Sequence, residues 1–415
     1  MEKFTLKNGM TVLVEPIEYL RSVSVGVWVK AGSILETPGE NGLSHFMEHM
    51  AFKGTQRRTA RQIAEEMDAV GGHLNAATSK LCTNYYAKVI DEDLPLAVDI
   101  LSDIVCHPAL DEKETDKERG VVLEEIAMVE DSPEDVVYDL LAEAVFGSQA
   151  LGQTILGPAE KLQAYTPEDL RAFRRRHYGP QNAVAAVAGH VEVDRVRALM
   201  EQYFGPWQGA AGEAFPASVA VDAPRKLARD KDTEQVHLCL SFRSCEMGSP
   251  EVYPTAVMNN VLGGGMSSRL FQRIREEMGK AYTVYSSPSS YPGCGEFTIY
   301  AATNPQSVKP VLEEIDREIQ KLLEGGMTEK EFSMSKAQLK GSFILGLESA
   351  YNRMSALGHN QMLLNRVIPP EETISAIENV TMEDAMRAAR DILTGPRAYA
   401  VVGKNAEKYL KFMRG

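Results

Sequence analysis

Internal repetition constrains this chain more than any other feature. Ile63-Ala64-Glu65-Glu66-Met67 returns as Ile274-Arg275-Glu276-Glu277-Met278, 211 residues later. Glu112-Lys113-Glu114 returns as Glu329-Lys330-Glu331, at an offset of 217. Thr166-Pro167-Glu168-Asp169, which precedes a small-apolar strand pattern ending at Gly189, returns as Thr381-Met382-Glu383-Asp384 before Arg397 to Gly403. Three matches in one order, at nearly one offset, mark a duplication. The period is about half of the 415 residues, which indicates two copies of a domain and not a solenoid of short repeats. Between the copies lies Gly205-Pro206-Trp207-Gln208-Gly209-Ala210-Ala211-Gly212, continuing through Pro216 and Pro224, a composition typical of a linker. The expected division is a first domain over 1–208, a linker over 209–230 and a homologous second domain over 231–415.

Within each half, strand patterns precede helices and strands close the half. Met10 to Glu15 and Ser22 to Lys30 largely alternate, as half-buried strands do, and Asn8-Gly9 is a turn signal before the first. Leu43 to Lys53 and Thr59 to Val70 carry helical spacing, and Gly71-Gly72 stops the second. His73 to Ile90 reads as two strands, and Leu94 to Val105 and Glu112 to Val129 as two more helices. Strands segregated from helices predict an α+β fold, each copy a mostly antiparallel sheet with helices packed on one face.

Composition removes several function classes. Lys plus Arg total 44 against 58 Asp plus Glu, a net charge of −14 that disfavours nucleic acid and anionic membrane surfaces as partners. No apolar run approaches the roughly 18 residues of a membrane span. The N-terminus, Met1 to Thr5, shows neither a secretory nor an organellar targeting pattern. Five scattered cysteines without a C-x-x-C pair argue against a disulfide framework and fit a reducing cytoplasm.

The chemistry is concentrated in Ser44-His45-Phe46-Met47-Glu48-His49-Met50-Ala51-Phe52-Lys53-Gly54-Thr55. On a helix His45, Glu48 and His49 project into one arc of about 100°. Two imidazoles one turn apart can chelate a single Zn²⁺, with the carboxylate beside them placed to act on water. With eight His in the whole chain, two of them bracketing a Glu at this spacing is a specific pattern. A catalytic zinc usually takes a third protein ligand, and spacing alone does not say where it lies.

The run His45 to Thr55, the downstream Asn75-Ala76-Ala77-Thr78-Ser79-Lys80 and the acid-rich helix Glu118 to Glu130 resemble the inverted-zincin (pitrilysin/insulinase) family of zinc peptidases. The likeness is greatest to its processing-peptidase branch and short bacterial members. It implies one Zn²⁺ per chain held by His45, His49 and Glu125, the last standing 76 residues after His49. It further implies Glu48 as general base and Glu118, seven residues before Glu125, as an acid near the metal. Phe52 matches an aromatic residue of the pocket after the scissile bond, and Asn75 and Ala76 match an edge strand that accepts an extended peptide. Arg275 and Tyr282 resemble the pair that holds substrate and developing oxyanion. No H-x-x-E-H occurs after residue 49, so the second copy lacks the metal motif. Leu81 stands where relatives often carry Glu after Thr-Ser-Lys.

The resemblance therefore implies a cytoplasmic zinc metalloendopeptidase acting on extended peptides. Short members assemble as homodimers in which the second domain of one chain faces the zinc domain of the other. The competing reading is a non-catalytic scaffold subunit of a processing-peptidase-like complex; such relatives typically have a damaged motif, whereas this one is whole. Ser132-Pro133-Glu134-Asp135 reads as a helix start, which puts Asp135 and Asp139 on one face. Capping favours Asp135 but not Asp139. In the processing-peptidase branch the matching positions bind an Arg two residues before the cleaved bond, which predicts that preference here.

Overall fold

The computed structural model describes residues 1–215 and 225–413. The first half runs β1 (Glu2–Thr5), β2 (Thr11–Pro16), β3 (Ser22–Val29), α1 (Leu43–Ala51), α2 (Ala60–Ala69), β4 (His73–Thr78) and β5 (Thr83–Ile90). There follow α3 (Leu94–Cys106), α4 (Glu112–Asp131), α5 (Pro133–Phe146), α6 (Ala159–Ala164), α7 (Pro167–His177), β6 (Ala183–Gly189) and α8 (Val193–Tyr203). The second half opens with β7 (Lys226–Asp230), β8 (Val236–Ser244), α9 (Val252–Leu262), a π-helical segment Phe271–Glu277, β9 (Ala281–Tyr291) and β10 (Cys294–Thr303). It closes with α10 (Val308–Gly325), α11 (Glu329–Gly346), α12 (Ala350–Leu364), α13 (Pro370–Asn379), α14 (Met382–Leu393) and β11 (Arg397–Gly403). Of the stretch expected to join the halves, 216–224 lies outside the described residues and Lys226–Asp230 forms β7.

The duplication is legible strand by strand. One sheet has the order β1-β2-β6-β3-β5-β4 and the other β7-β11-β8-β10-β9. Apart from β1, a hairpin partner of β2, the two orders are the same. In each, one pair is parallel (β2 with β6, β7 with β11) and the remaining pairs are antiparallel. Helices α1, α3 and α7 bury Phe46, Met47, Ile100, Leu101 and Phe173 against Val23, Val25, Val27 and Val29 of β3. In the second sheet α9, α10 and α14 do the same against β8 and β10. The fold is thus α+β, two homologous domains with their main helical layer on one face.

The opposite face of each sheet carries one further helix, which the strand patterns do not announce. The chain divides into two compact units, one of Met1–Ile126, Thr154–Phe215 and Leu345–Ile368, the other of Ala127–Gln153, Pro216–Ile344 and Pro369–Gly415. Each borrows a helix from the other half of the sequence. α12 brings Met354 and Leu357 onto Leu13, Trp28, Val184 and Ala186, and Arg353 pairs with Glu15 at 2.5 Å. β3 is therefore buried on both faces, not half-buried as its alternation suggests, because Ser24, Gly26 and Trp28 lie beneath α12. Gly358 permits the contact: a Cβ there would stand 2.2 Å from the Trp28 ring. In the second unit α5 stacks Tyr138 on Tyr300, with ring centroids 5.8 Å apart, and the Tyr138 hydroxyl bonds Tyr285 Oη at 2.8 Å.

Candidate metal centre

α1 is amphipathic in a way that sorts its residues by role. Leu43, Phe46, Met47 and Met50 form its buried stripe, which leaves His45, Glu48 and His49 on another side. Gly42 opens the helix with φ +101°, and a Cβ there would meet Leu156 O at 2.5 Å, so the entry requires glycine. α4 presents its residues by the same logic. Thr115, Glu118 and Val122 are its buried positions, and Glu125 continues that face while Glu124 is exposed.

These two helices bring three donor groups together. Glu125 Oε2 lies 3.3 Å from His49 Nε2 and 3.6 Å from His45 Nε2. One donor atom from each residue falls within 4.8 Å of the others, and this is the one group of three such ligands among the described residues. Donors about 2.0–2.1 Å from one tetrahedral zinc stand about 3.3 Å apart, so the triangle fits that ion. Burial, with His49 nearby, lowers the His45 pKa to about 4 and keeps its imidazole in the neutral form that ligates. Around His49, burial opposes charge but Glu118, Glu125 and Glu48 outweigh it and raise the pKa.

A second layer fixes the first. Glu118 Oε1 bonds His49 Nδ1 at 2.8 Å, and its other oxygen pairs with Lys53 Nζ at 2.7 Å. A carboxylate on Nδ1 orients the ring and turns Nε2 toward a metal. Glu48 receives a hydrogen bond from the Thr78 hydroxyl at the end of β4, and burial raises its carboxyl pKa. Neither Thr78 nor Lys53 carries a sequence signal for these contacts. Thr78 lies 30 residues from Glu48 and meets it only where α1 packs beside β4, while Lys53 reads as any helix-end cation.

The other candidate residues are placed as follows. Phe52 lies 6.4 Å, ring to ring, from Tyr85 and borders a cavity of about 290 Å³ with Ile63, Met67 and Leu74. Asn75 and Ala76 are on β4, an edge strand of the first sheet, where Asn75 Oδ1 accepts the Ala76 N–H at 2.8 Å. Arg275 and Tyr282 belong to the second unit. The Arg275 guanidinium lies between two rings, 4.7 Å from the centroid of Phe271 and 4.9 Å from that of Tyr282, whose side chain is largely exposed. A groove of about 350 Å³ runs beside them past Lys280 and Thr303. Asp135 and Asp139 are on α5, also in the second unit. Asp135 is exposed with its N–H on Ser132 Oγ at 3.3 Å, and Asp139 is half-buried.

Comparison with known proteins identifies the family of the chain. Residues 11–159 match the model for the insulinase peptidases (family M16), and residues 164–339 match that for the M16 inactive domain. The chain is 43% identical to the uncharacterized zinc protease YmxG of Bacillus subtilis over 97% of its own length and 98% of the relative's. An uncharacterized zinc protease of Streptomyces coelicolor is 38% identical, covering 98% of this chain and 90% of that one. Among solved structures, a Helicobacter pylori protease superposes with a TM-score of 0.90 at 24% identity, over 97% of this chain and 99% of the other. A Pseudomonas fluorescens peptidase M16 inactive-domain protein gives 0.90 at 19%, over 97% of each chain. At those identities the two structures speak for the fold, and the sequence matches carry the family assignment. With both family models matched in order and relatives alike from end to end, the chain belongs to the insulinase family of peptidases, M16.

Proposed function

We propose that the chain is a zinc metalloendopeptidase acting on extended peptides, with one zinc per chain held by His45, His49 and Glu125. The observation that carries this reading is the donor triangle beside Glu48. Zinc held there would supply Lewis acidity toward a peptide carbonyl and a neighbouring water. Glu48 takes the proton of the attacking water and returns it to the leaving amine, its carboxylate steadied by Thr78. Glu118 and Lys53 keep the His49 ring in place. The outer edge of β4 at Asn75 and Ala76 receives the substrate backbone, Phe52 borders the pocket after the scissile bond, and Arg275 and Tyr282 stabilise the oxyanion.

Two measurements decide it: zinc content, and hydrolysis of a quenched peptide before and after chelation. One zinc per chain with chelator-sensitive, zinc-restored hydrolysis is the expected result. A zinc-free protein without hydrolysis returns the chain to the scaffold reading.

The same reading includes a homodimer, checked by sedimentation, and a cytoplasmic setting, for which the five free cysteines speak. No helix among the described residues is long and apolar enough to cross a membrane. It also includes a preference for Arg two residues before the cleaved bond, read by Asp135 and Asp139. Replacing both with Asn is expected to weaken cleavage of Arg-containing peptides selectively and leave zinc content unchanged. Equal loss on peptides with and without Arg would assign the pair to the helix instead.

A further inference from the structure

The metal-binding helix begins without a side-chain cap of its own, since Gly42 has none to offer. Its first N–H groups are taken instead by Glu36. Oε1 of Glu36 accepts the Ser44 N–H at 2.7 Å, and Oε2 accepts the Gly42 N–H at 2.9 Å and Asn41 Nδ2 at 3.2 Å. The residue is 4% exposed, and no Lys, Arg or His pairs with it among the described residues. A carboxylate withdrawn from water without a cation is costly unless other groups take up its charge. Backbone N–H donors and the positive end of α1 offset part of that cost here, and burial still leaves the Glu36 carboxyl pKa raised. The strap that carries it is fixed in turn, because Ser33 N–H and Ile34 N–H donate to Ser79 O and Lys80 O at 3.4 and 2.8 Å.

The two histidines of α1 differ in a way that gives this cap a purpose. Glu118 holds the His49 ring through Nδ1. His45 has no equivalent: its Nδ1 is buried and has no hydrogen-bond partner among the described residues. Metal-ligating histidines almost always have such a partner, which fixes the ring. The placement of His45 therefore depends on packing and on the backbone of the first turn, and His45 follows directly on Ser44, whose N–H Glu36 binds. The duplicated copy offers a comparison inside the same molecule. The counterpart of α1, α9, contains no histidine, and its N-cap Glu251 makes no side-chain capping bond. Glu246, upstream of it, is exposed. Among the described residues, the copy without the metal motif also lacks a buried acid capping this helix.

We propose that Glu36 is a positioning residue for His45, a buried carboxylate that pins the first turn of α1 so that one zinc ligand is held by backbone where the other is held by a side chain. The proposal rests on the zinc reading above. It is tested on the full chain with Glu36→Gln, which keeps the shape and sets an amide NH₂ against backbone donors. Two readouts are independent of catalysis: zinc affinity by chelator competition, and the visible absorption of the Co²⁺-loaded protein, which reports ligand geometry. The expected result is zinc affinity weakened by at least about 10-fold, the scale seen for outer-layer partners of metal ligands, with altered Co²⁺ bands. A folded variant with wild-type zinc affinity and an unchanged Co²⁺ spectrum overturns the proposal, even if its melting temperature falls. Should Glu36→Gln not fold, Glu36→Asp keeps the charge and draws the carboxylate back by about 1.5 Å, one C–C bond, and the same two outcomes apply. Failure of the wild-type protein to take up zinc overturns the parent reading as well, whereas normal affinity in the variants overturns this one alone.

Discussion

Glu48→Gln is expected to retain zinc and fold while turnover falls by at least about 10²-fold, the scale of lost general acid–base help. The amide is nearly isosteric, and it can still accept the Thr78 hydroxyl bond that the carboxylate accepts now. The donor triangle of His45, His49 and Glu125 does not include Glu48, so the substitution removes proton acceptance and leaves the metal site intact. Removing a carboxylate whose pKa burial has raised also relieves a desolvated charge, so the variant is expected to be no less stable than the wild type. The measurements are kcat on a quenched peptide, bound zinc and thermal unfolding. Turnover within a few-fold of wild type in a zinc-loaded variant would remove Glu48 from the mechanism. Loss of zinc together with turnover would instead show that Glu48 belongs to the metal site.

The sequence is legible where the physics is local. The arc formed by His45, Glu48 and His49 follows from about 100° per residue along one helix, and α1 indeed covers all three. The duplication was legible because both copies kept the same turn and cap chemistry, as in the capping boxes at Thr166 and Thr381. Glu125 was reached through family spacing alone; no local pattern separates it from Glu124, and burial of the Thr115, Glu118 and Val122 face of α4 is what separates them in space. Thr78, Lys53 and Glu36 were invisible as partners because each acts through a contact that chain folding creates. The second face of β3 was misjudged for a related reason. Its Ser-Val-Ser-Val-Gly-Val-Trp-Val alternation reads as half-buried, and the helix that covers the small-residue side begins more than 300 residues later. Long-range layering of this kind leaves only a faint trace in sequence, here Gly26 below Trp28 and Gly358 above it.

Asp103→Ala is expected to destabilise the first unit by about 3 kcal/mol, the lower end of the cost of stripping one partner from a buried ion pair. Asp103 lies on α3 and is 0% exposed. One of its oxygens receives Arg57 Nε at 3.1 Å; the other receives Arg58 Nη1 at 3.0 Å and the Thr55 hydroxyl at 2.7 Å. Asp99, one turn earlier, takes a second nitrogen of each arginine, at 2.6 and 2.7 Å. Two carboxylates at i,i+4 on a helix repel unless cations lie between them, and the two guanidinium groups supply that cation layer. Together they tie the loop that leaves α1 down onto α3. Alanine at 103 leaves Arg57 Nε, Arg58 Nη1 and the Thr55 hydroxyl without that acceptor. Arg58 keeps Asp99 and Glu66, the latter at 2.9 Å from its Nε, which is why the lower end of the range applies. Arg61→Ala serves as the comparison, because Arg61 and Glu65 form an exposed i,i+4 pair expected to contribute no more than about 0.5 kcal/mol. In urea unfolding the Asp103→Ala midpoint should fall well below that of Arg61→Ala, and Asp103→Leu combined with Arg58→Met should recover part of the loss by replacing charge with packing. An Asp103→Ala midpoint equal to the Arg61→Ala value would mean that water reaches this network and that its ion pairs hold the loop no more firmly than a surface pair does.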